Sequence, residues 1–169
     1  MFISQHKLQK LAVTDPLTGL FNRHQLNTVL EQEMARDLRY EKKFGLIIID
    51  IDYFKVINDN YGHDVGDQVL QQVARVLSQS LRDNDTLIRW GGEEFVVIAL
   101  EVNDNSLINL GNKLRENIES EHYLVTEKVT VSVGTTMFTK NDTQDSLISR
   151  ADKALYQAKG KGRNITVQL

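Results

Sequence analysis

The segment Phe44 to Asp50, FGLIIID, constrains the fold most: an unbroken apolar run, rich in β-branched residues, that stops on a carboxylate. A run of this kind suits a strand covered on both faces, so the rest of the chain has to supply helices for two layers. The flanking sequence offers them. Asp15 can cap a short turn that begins with Pro16, after which Leu26, Leu30, Met34 and Leu38 recur at helical spacing to about residue 40. Beyond the strand, Asp52 is placed to N-cap a short helix over Tyr53 to Asp59. Past Gly62 and Gly66, Val69, Val73, Val76 and Leu77 mark a longer amphipathic helix to about Leu81.

Two short apolar runs follow, TLIRW (86–90) and FVVIAL (95–100), separated by Gly-Gly-Glu-Glu; paired glycines can supply the positive φ of a tight hairpin. Leu107, Leu110, Leu114 and Ile118 predict a helix. Val129, Val131, Val133 and Thr135 alternate as a strand, and Leu147, Ala151, Ala154, Leu155 and Ala158 predict a last helix before a strand at Ile165 to Val167. The order β-α-α-β-β-α-β, with flanking helices and a closing strand, describes an α+β, ferredoxin-like or palm-type fold: a largely antiparallel sheet flanked by helices.

Composition narrows the chemistry. Twenty Lys+Arg against 23 Asp+Glu give a net charge of -3, which disfavours a nucleic-acid polymer or an anionic membrane as partner. With no cysteine, thiol nucleophiles and thiolate metal sites are excluded and a reducing, cytoplasmic setting fits. Charge is nevertheless sorted along the chain. Residues 50–67 hold five aspartates against one lysine, and residues 150–163 hold five Lys+Arg against one aspartate.

Asp50 and Asp52 end the first strand and Glu93 and Glu94 sit at the hairpin tip, so neighbouring strands would bring several carboxylates to one spot. Such a cluster is costly unless a divalent cation lies between the oxygens; hard oxygen donors favour magnesium, with manganese as a substitute. The helix start at Phe54 and Lys55 offers free N–H groups to a phosphate. Asn58 and Asp67 combine an amide with a carboxylate, a pair able to bond a guanine edge, although turn capping explains them equally well. His63 reads more simply as a loop histidine bonded to backbone.

The strings DPLTGLFNR (15–23), DIDYFKVINDNYGHDVGD (50–67), RWGGEEF (89–95), SVGTT (132–136) and ADKALYQAKGKGRN (151–164), in this order, resemble the GGDEF family of diguanylate cyclases over about residues 12–169. The resemblance implies a nucleotide-cyclase-like palm and the condensation of two GTP into cyclic di-GMP and two pyrophosphates. By position it implies that Asp50, the Ile51 carbonyl and Glu93 hold the metal, with Asp50 and Glu93 catalytic. It assigns phosphate contacts to Phe54 and Lys55, guanine selection to Asn58 and Asp67, and a substrate contact to His63. Gly91 and Gly92 would let the backbone approach the nucleotide, and Lys159 and Arg163 would neutralise the phosphate tail.

Arg82 and Asp85 form an RxxD pattern ahead of the hairpin, where the family has its product-inhibition site; a partner domain would supply further basic contacts, Lys113 or Arg115 among them. A two-fold symmetric product implies a C2 homodimer for turnover. Residues 1–13 resemble the end of an incoming linker helix, with 14–169 as the catalytic domain and a sensory domain upstream that could be membrane-anchored. Two rival readings remain: a weakly catalytic domain acting as a GTP or cyclic di-GMP receptor, and a palm-type cyclase for another nucleotide.

Overall fold

The computed structural model describes Leu8 and residues 12–169. The elements are α1 (Arg23–Tyr40), β1 (Phe44–Ile51), α2 (Phe54–Tyr61), α3 (His63–Ser80), β2 (Thr86–Gly91), β3 (Glu94–Leu100), α4 (Asp104–Ser120), β4 (Val131–Met137), α5 (Gln144–Gly160) and β5 (Thr166–Gln168). The strands form one sheet in the order β2-β3-β1-β4-β5. All pairings are antiparallel except β4 with β5. The expected α+β sandwich is observed, and the linker expected over residues 1–13 lies largely outside the described residues.

Every residue of β1 is buried, as its composition requires. Its odd-numbered side chains, Ile47, Ile49 and Ile51, pack in a core with Phe54, Ile57, Val69 and Val73 of α2 and α3 and Leu107 and Leu114 of α4. Its even-numbered ones, Leu46 and Ile48, join Leu26 and Leu30 of α1 and Leu147, Ala151 and Leu155 of α5. Helix α5 lies tight on β4 because residue 134 is glycine: a methyl there would run into the backbone of Ala151 and Leu155. That approach sends the C-terminal end of α5 toward the end of β1. Among the described residues no helix is long and apolar enough to cross a membrane.

The sequence expectation for α1 needs correction. The buried face is Leu26, Leu30, Glu33 and Asp37, whereas Leu38 is 56% exposed. A strict four-residue repeat drifts by about 40° per step on a helix of 3.6 residues per turn, so spacing 4-3-4 stays on the core side and 4-4-4 leaves it. Arg36 bonds Glu33 and Lys43 bonds Asp37, both at 3.1 Å, which is how two acids are tolerated there.

Candidate active site

Because β1 lies beside β3, Asp50 stands directly opposite Glu94, and the Ile51 N–H donates to the Glu93 carbonyl at 3.2 Å. The expected convergence of carboxylates is therefore present at one end of the central strands. Asp50 is only 6% exposed, and among the described residues its one side-chain partner is Lys159, whose Nζ lies 3.2 Å from Oδ2. Burial pushes the Asp50 pKa up, and Glu93 and Asp52 add repulsion that Lys159 only partly offsets. Glu94 is raised by burial and then by Asp50 and Asp152; Asp152 is itself raised by burial. Asp152 was not foreseen. Its signal was its place two helical turns before Lys159, on the same face of α5.

An under-neutralised corner of this kind fits a divalent cation. Among the described residues no three His, Cys, Asp or Glu side chains close around one point, so Asp50 and Glu93, with the Ile51 carbonyl, would supply only part of a coordination shell. Magnesium accepts that arrangement, since it commonly takes one or two carboxylates and fills its octahedron with phosphate oxygens and water.

Asp52 corrects a second expectation. It does not cap α2, whose N-cap is Tyr53 in a left-handed conformation (φ 54) with no side-chain cap bond. Asp52, 4% exposed, instead accepts from Thr130 Oγ1 at 2.8 Å, Ser132 Oγ at 2.6 Å and the Asn164 N–H at 3.0 Å. A buried carboxylate gains more from three donors than from one exposed helix end. Its bonds tie β4 and the turn after α5 to the end of β1. That turn presents Arg163, whose guanidinium sits 4.6 Å from the Tyr53 ring centroid and 4.0 Å from Asp52. Lys159 and Arg163 thus flank the start of α2, where the first-turn N–H groups of Phe54 and Lys55 have no side-chain cap.

Asn58 of α2 is half-buried and Asp67 of α3 exposed, and among the described residues neither side chain makes a hydrogen bond within the chain. Asn58 Oδ1 packs against Gly66, which leaves the Asn58 amide NH2 and the Asp67 carboxylate unbonded for a ligand, and the capping alternative is not observed. His63 is not a loop residue: it is exposed at the first position of α3.

The hairpin tip shows a role the sequence did not disclose. Of the two, only Gly92 has positive φ (35), so the expectation for both glycines holds for one; Gly91 ends β2 just past a register shift in its pairing with β3. The turn is held by Arg89, which donates to the Gly92 carbonyl through Nη2 at 2.7 Å and Nε at 3.2 Å. The same guanidinium reaches Asp15 at 3.1 Å, and Asp15 also accepts from the Thr18 N–H and hydroxyl. Burial alone would raise Asp15, but these bonds outweigh it and its pKa is lowered. Arg89 and Asp15 lie 74 residues apart, so no local pattern could have paired them.

Arg82 and Asp85 pair with each other at 3.0 Å. The Asp85 side chain is 1% exposed and also accepts from the Arg82 and Leu100 N–H groups, so its lone pairs face inward. A cavity of about 300 Å³ beside Arg82 includes Lys113 but not Arg115. Arg115 instead bonds Glu119 and Asn164, which separates the two basic residues grouped by the sequence.

A family model described as "Diguanylate cyclase, GGDEF domain" matches residues 12–165. This chain belongs to the GGDEF family. The response regulator PleD of Caulobacter vibrioides is 38% identical over 168 residues, covering 96% of this chain and 37% of PleD; the chain thus spans little more than a third of that relative. Among solved structures, the coiled coil and GGDEF domain of DgcB from Caulobacter crescentus, in complex with c-di-GMP, superposes with a TM-score of 0.93 at 28% identity, covering 98% of this chain and 90% of that one. The active GGEEF domain of a diguanylate cyclase from Vibrio cholerae gives 0.82 at 31% identity, covering 87% and 96%. The GGDEF fold of this chain has glutamate in place of the family's aspartate, Glu93, at the third signature position.

Proposed function

We propose that this chain is the catalytic domain of a diguanylate cyclase, condensing two GTP into cyclic di-GMP and two pyrophosphates. The observation that carries the reading is the corner where Asp50, Glu93 and Glu94 outnumber the one cation among the described residues, Lys159, that reaches them, beside an uncapped helix start.

In this reading Asp50, Glu93 and the Ile51 carbonyl hold magnesium, which when bound stabilises charge on the triphosphate and lowers the pKa of the attacking 3′-hydroxyl. Lys159 and Arg163 neutralise the phosphate tail, and the Phe54 and Lys55 N–H groups bond its oxygens. Glu93 stands at the turn where the 3′-hydroxyl arrives and accepts its proton. The clamp of Arg89 on the Gly92 carbonyl fixes that turn, which keeps the acid aligned. Asn58 and Asp67 bond the guanine edge, Asn58 to O6 or N7 and Asp67 to N1–H and the 2-amino group; His63 stands near the same rim.

Each domain offers one half-site, so turnover requires two copies facing each other across a two-fold axis. Arg82, with Lys113 on the cavity beside it, would take the product and slow the reaction, while Asp85 would hold the Arg82 side chain in place. Residues 1–13 would carry the input from an upstream domain, with 14–169 as the catalytic unit. The test is a GTP turnover assay across protein concentration, with and without added cyclic di-GMP. Glu93→Gln is expected to abolish product while the thermal midpoint stays unchanged. Undiminished synthesis by that variant overturns the assignment.

A further inference from the structure

We infer that Gly66 is a specificity-determining residue: its missing side chain is the space that holds the Asn58 carboxamide toward the guanine pocket. The inference rests on the reading that Asn58 selects guanine. Gly66 is buried in the first turn of α3 and has no positive φ, so the backbone does not need glycine there. A glycine inside a helix is otherwise unfavourable relative to alanine. What the position requires is room.

A Cβ at residue 66 would lie far inside contact distance of Asn58 Oδ1, and within 3.4 Å of Phe54 Cζ. The colliding atom is the end of a rotatable side chain, so α2 and α3 could keep their packing while Asn58 turned away. The backbone supports that separation: the Gly62 N–H bonds the Asn58 carbonyl at 2.8 Å and the Gly66 N–H bonds the Gly62 carbonyl at 3.1 Å, neither involving the carboxamide. Asn58 makes no side-chain hydrogen bond among the described residues, so the contact with Gly66 is what limits its rotamers on that side. Asp67, next to Gly66, is the other guanine candidate, and one added methyl would therefore disturb base recognition without touching the metal corner or the basic turn.

The test measures binding of the α,β-methylene analogues of GTP and ATP to the full chain, with thermal midpoints, for wild type, Asn58→Ala, Gly66→Ala and the double variant. Gly66→Ala is expected to fold with its midpoint within about 3 °C of wild type and to lose at least about tenfold of the preference for guanine over adenine. The double variant is expected to match Asn58→Ala, because the methyl then has nothing to displace. If Gly66→Ala alone does not fold, the double variant decides: agreement with Asn58→Ala supports the inference. Full guanine preference in Gly66→Ala, or a double variant more than about threefold below Asn58→Ala, overturns it. Unchanged preference in Asn58→Ala overturns the guanine role of Asn58 itself, and the inference with it.

Discussion

The two ends of α5 each bring a basic side chain to a carboxylate, and they do it in opposite ways. Near the N-terminal end, Arg150 grips Asp142 through both Nη atoms at 2.7 and 2.8 Å, while Thr139 and Ser146 fill the remaining lone pairs of the acid. Arg150 spends its other donors on Thr136 and the Met137 carbonyl. The hydrogen bonds of Arg150 outweigh burial, and Asp142 is held well below the usual carboxylate range. At the C-terminal end, Lys159 makes one contact to Asp50, other acids crowd round, and the Asp50 pKa is raised. Saturation separates the two: the first acid holds the fold together, whereas the second is left short of positive charge, which is the condition the proposed cation and phosphate would meet.

The largest effect expected from breaking this contrast is on turnover. Asp50→Asn should reduce cyclic di-GMP formation by at least about 10³-fold with no loss of thermal stability, because the ionised acid is already disfavoured there. Arg150→Ala should do the reverse. Stranding Asp142 costs about 3 kcal/mol, the lower end for a buried pair, or a midpoint lowered by roughly 6–12 °C in a domain of this size, while turnover per folded molecule persists. Calorimetry on both variants checks the pair; an Asp50→Asn protein as destabilised as Arg150→Ala would abolish the distinction.

Smaller effects follow acid titration. Asp142 and Asp15 have lowered folded pKa values, so the stability they give is present above the ordinary aspartate value, near 3.8, and drains as pH falls through their folded values. Asp50, Glu94 and Asp152 are raised, so in their ionised form they oppose folding and protonation relieves it. The midpoint should therefore hold or rise on acidification from about pH 7 toward pH 5, then fall below about pH 4. Glu94→Gln should raise the midpoint by a few degrees at neutral pH, and the gain should shrink as pH falls through the raised Glu94 pKa. A midpoint falling steadily from pH 7, or no gain in Glu94→Gln, would show that the corner is not short of positive charge.

Much of this was legible because burial imposes period. The β1 strand, the α3 face and the α5 face all declare themselves through apolar spacing, and the carboxylates at strand ends follow once the strands are ordered. The failures share a cause as well. At Asp52, capping was the best local use of an aspartate before a helix, but Thr130, Ser132 and Asn164 arrive from distant sequence and outcompete it. Asp15 with Arg89, and the split of Lys113 from Arg115, likewise depend on contacts that local sequence does not encode. On α1 the error lay in the period: four-residue spacing looked helical, but the buried stripe passes through Glu33 and Asp37.

The burial of β1 between β3 and β4 also governs when the corner opens. Asp50 belongs to the innermost strand, paired on both sides, so its amide should exchange with solvent only when the whole domain unfolds. Arg163 sits on a turn beyond the last helix, tied to the sheet by the Asn164 N–H bond to Asp52, and opening there should need far less. The acid that would hold a metal is thus kept on the timescale of global unfolding, and the cation proposed for the phosphate tail on that of a loop.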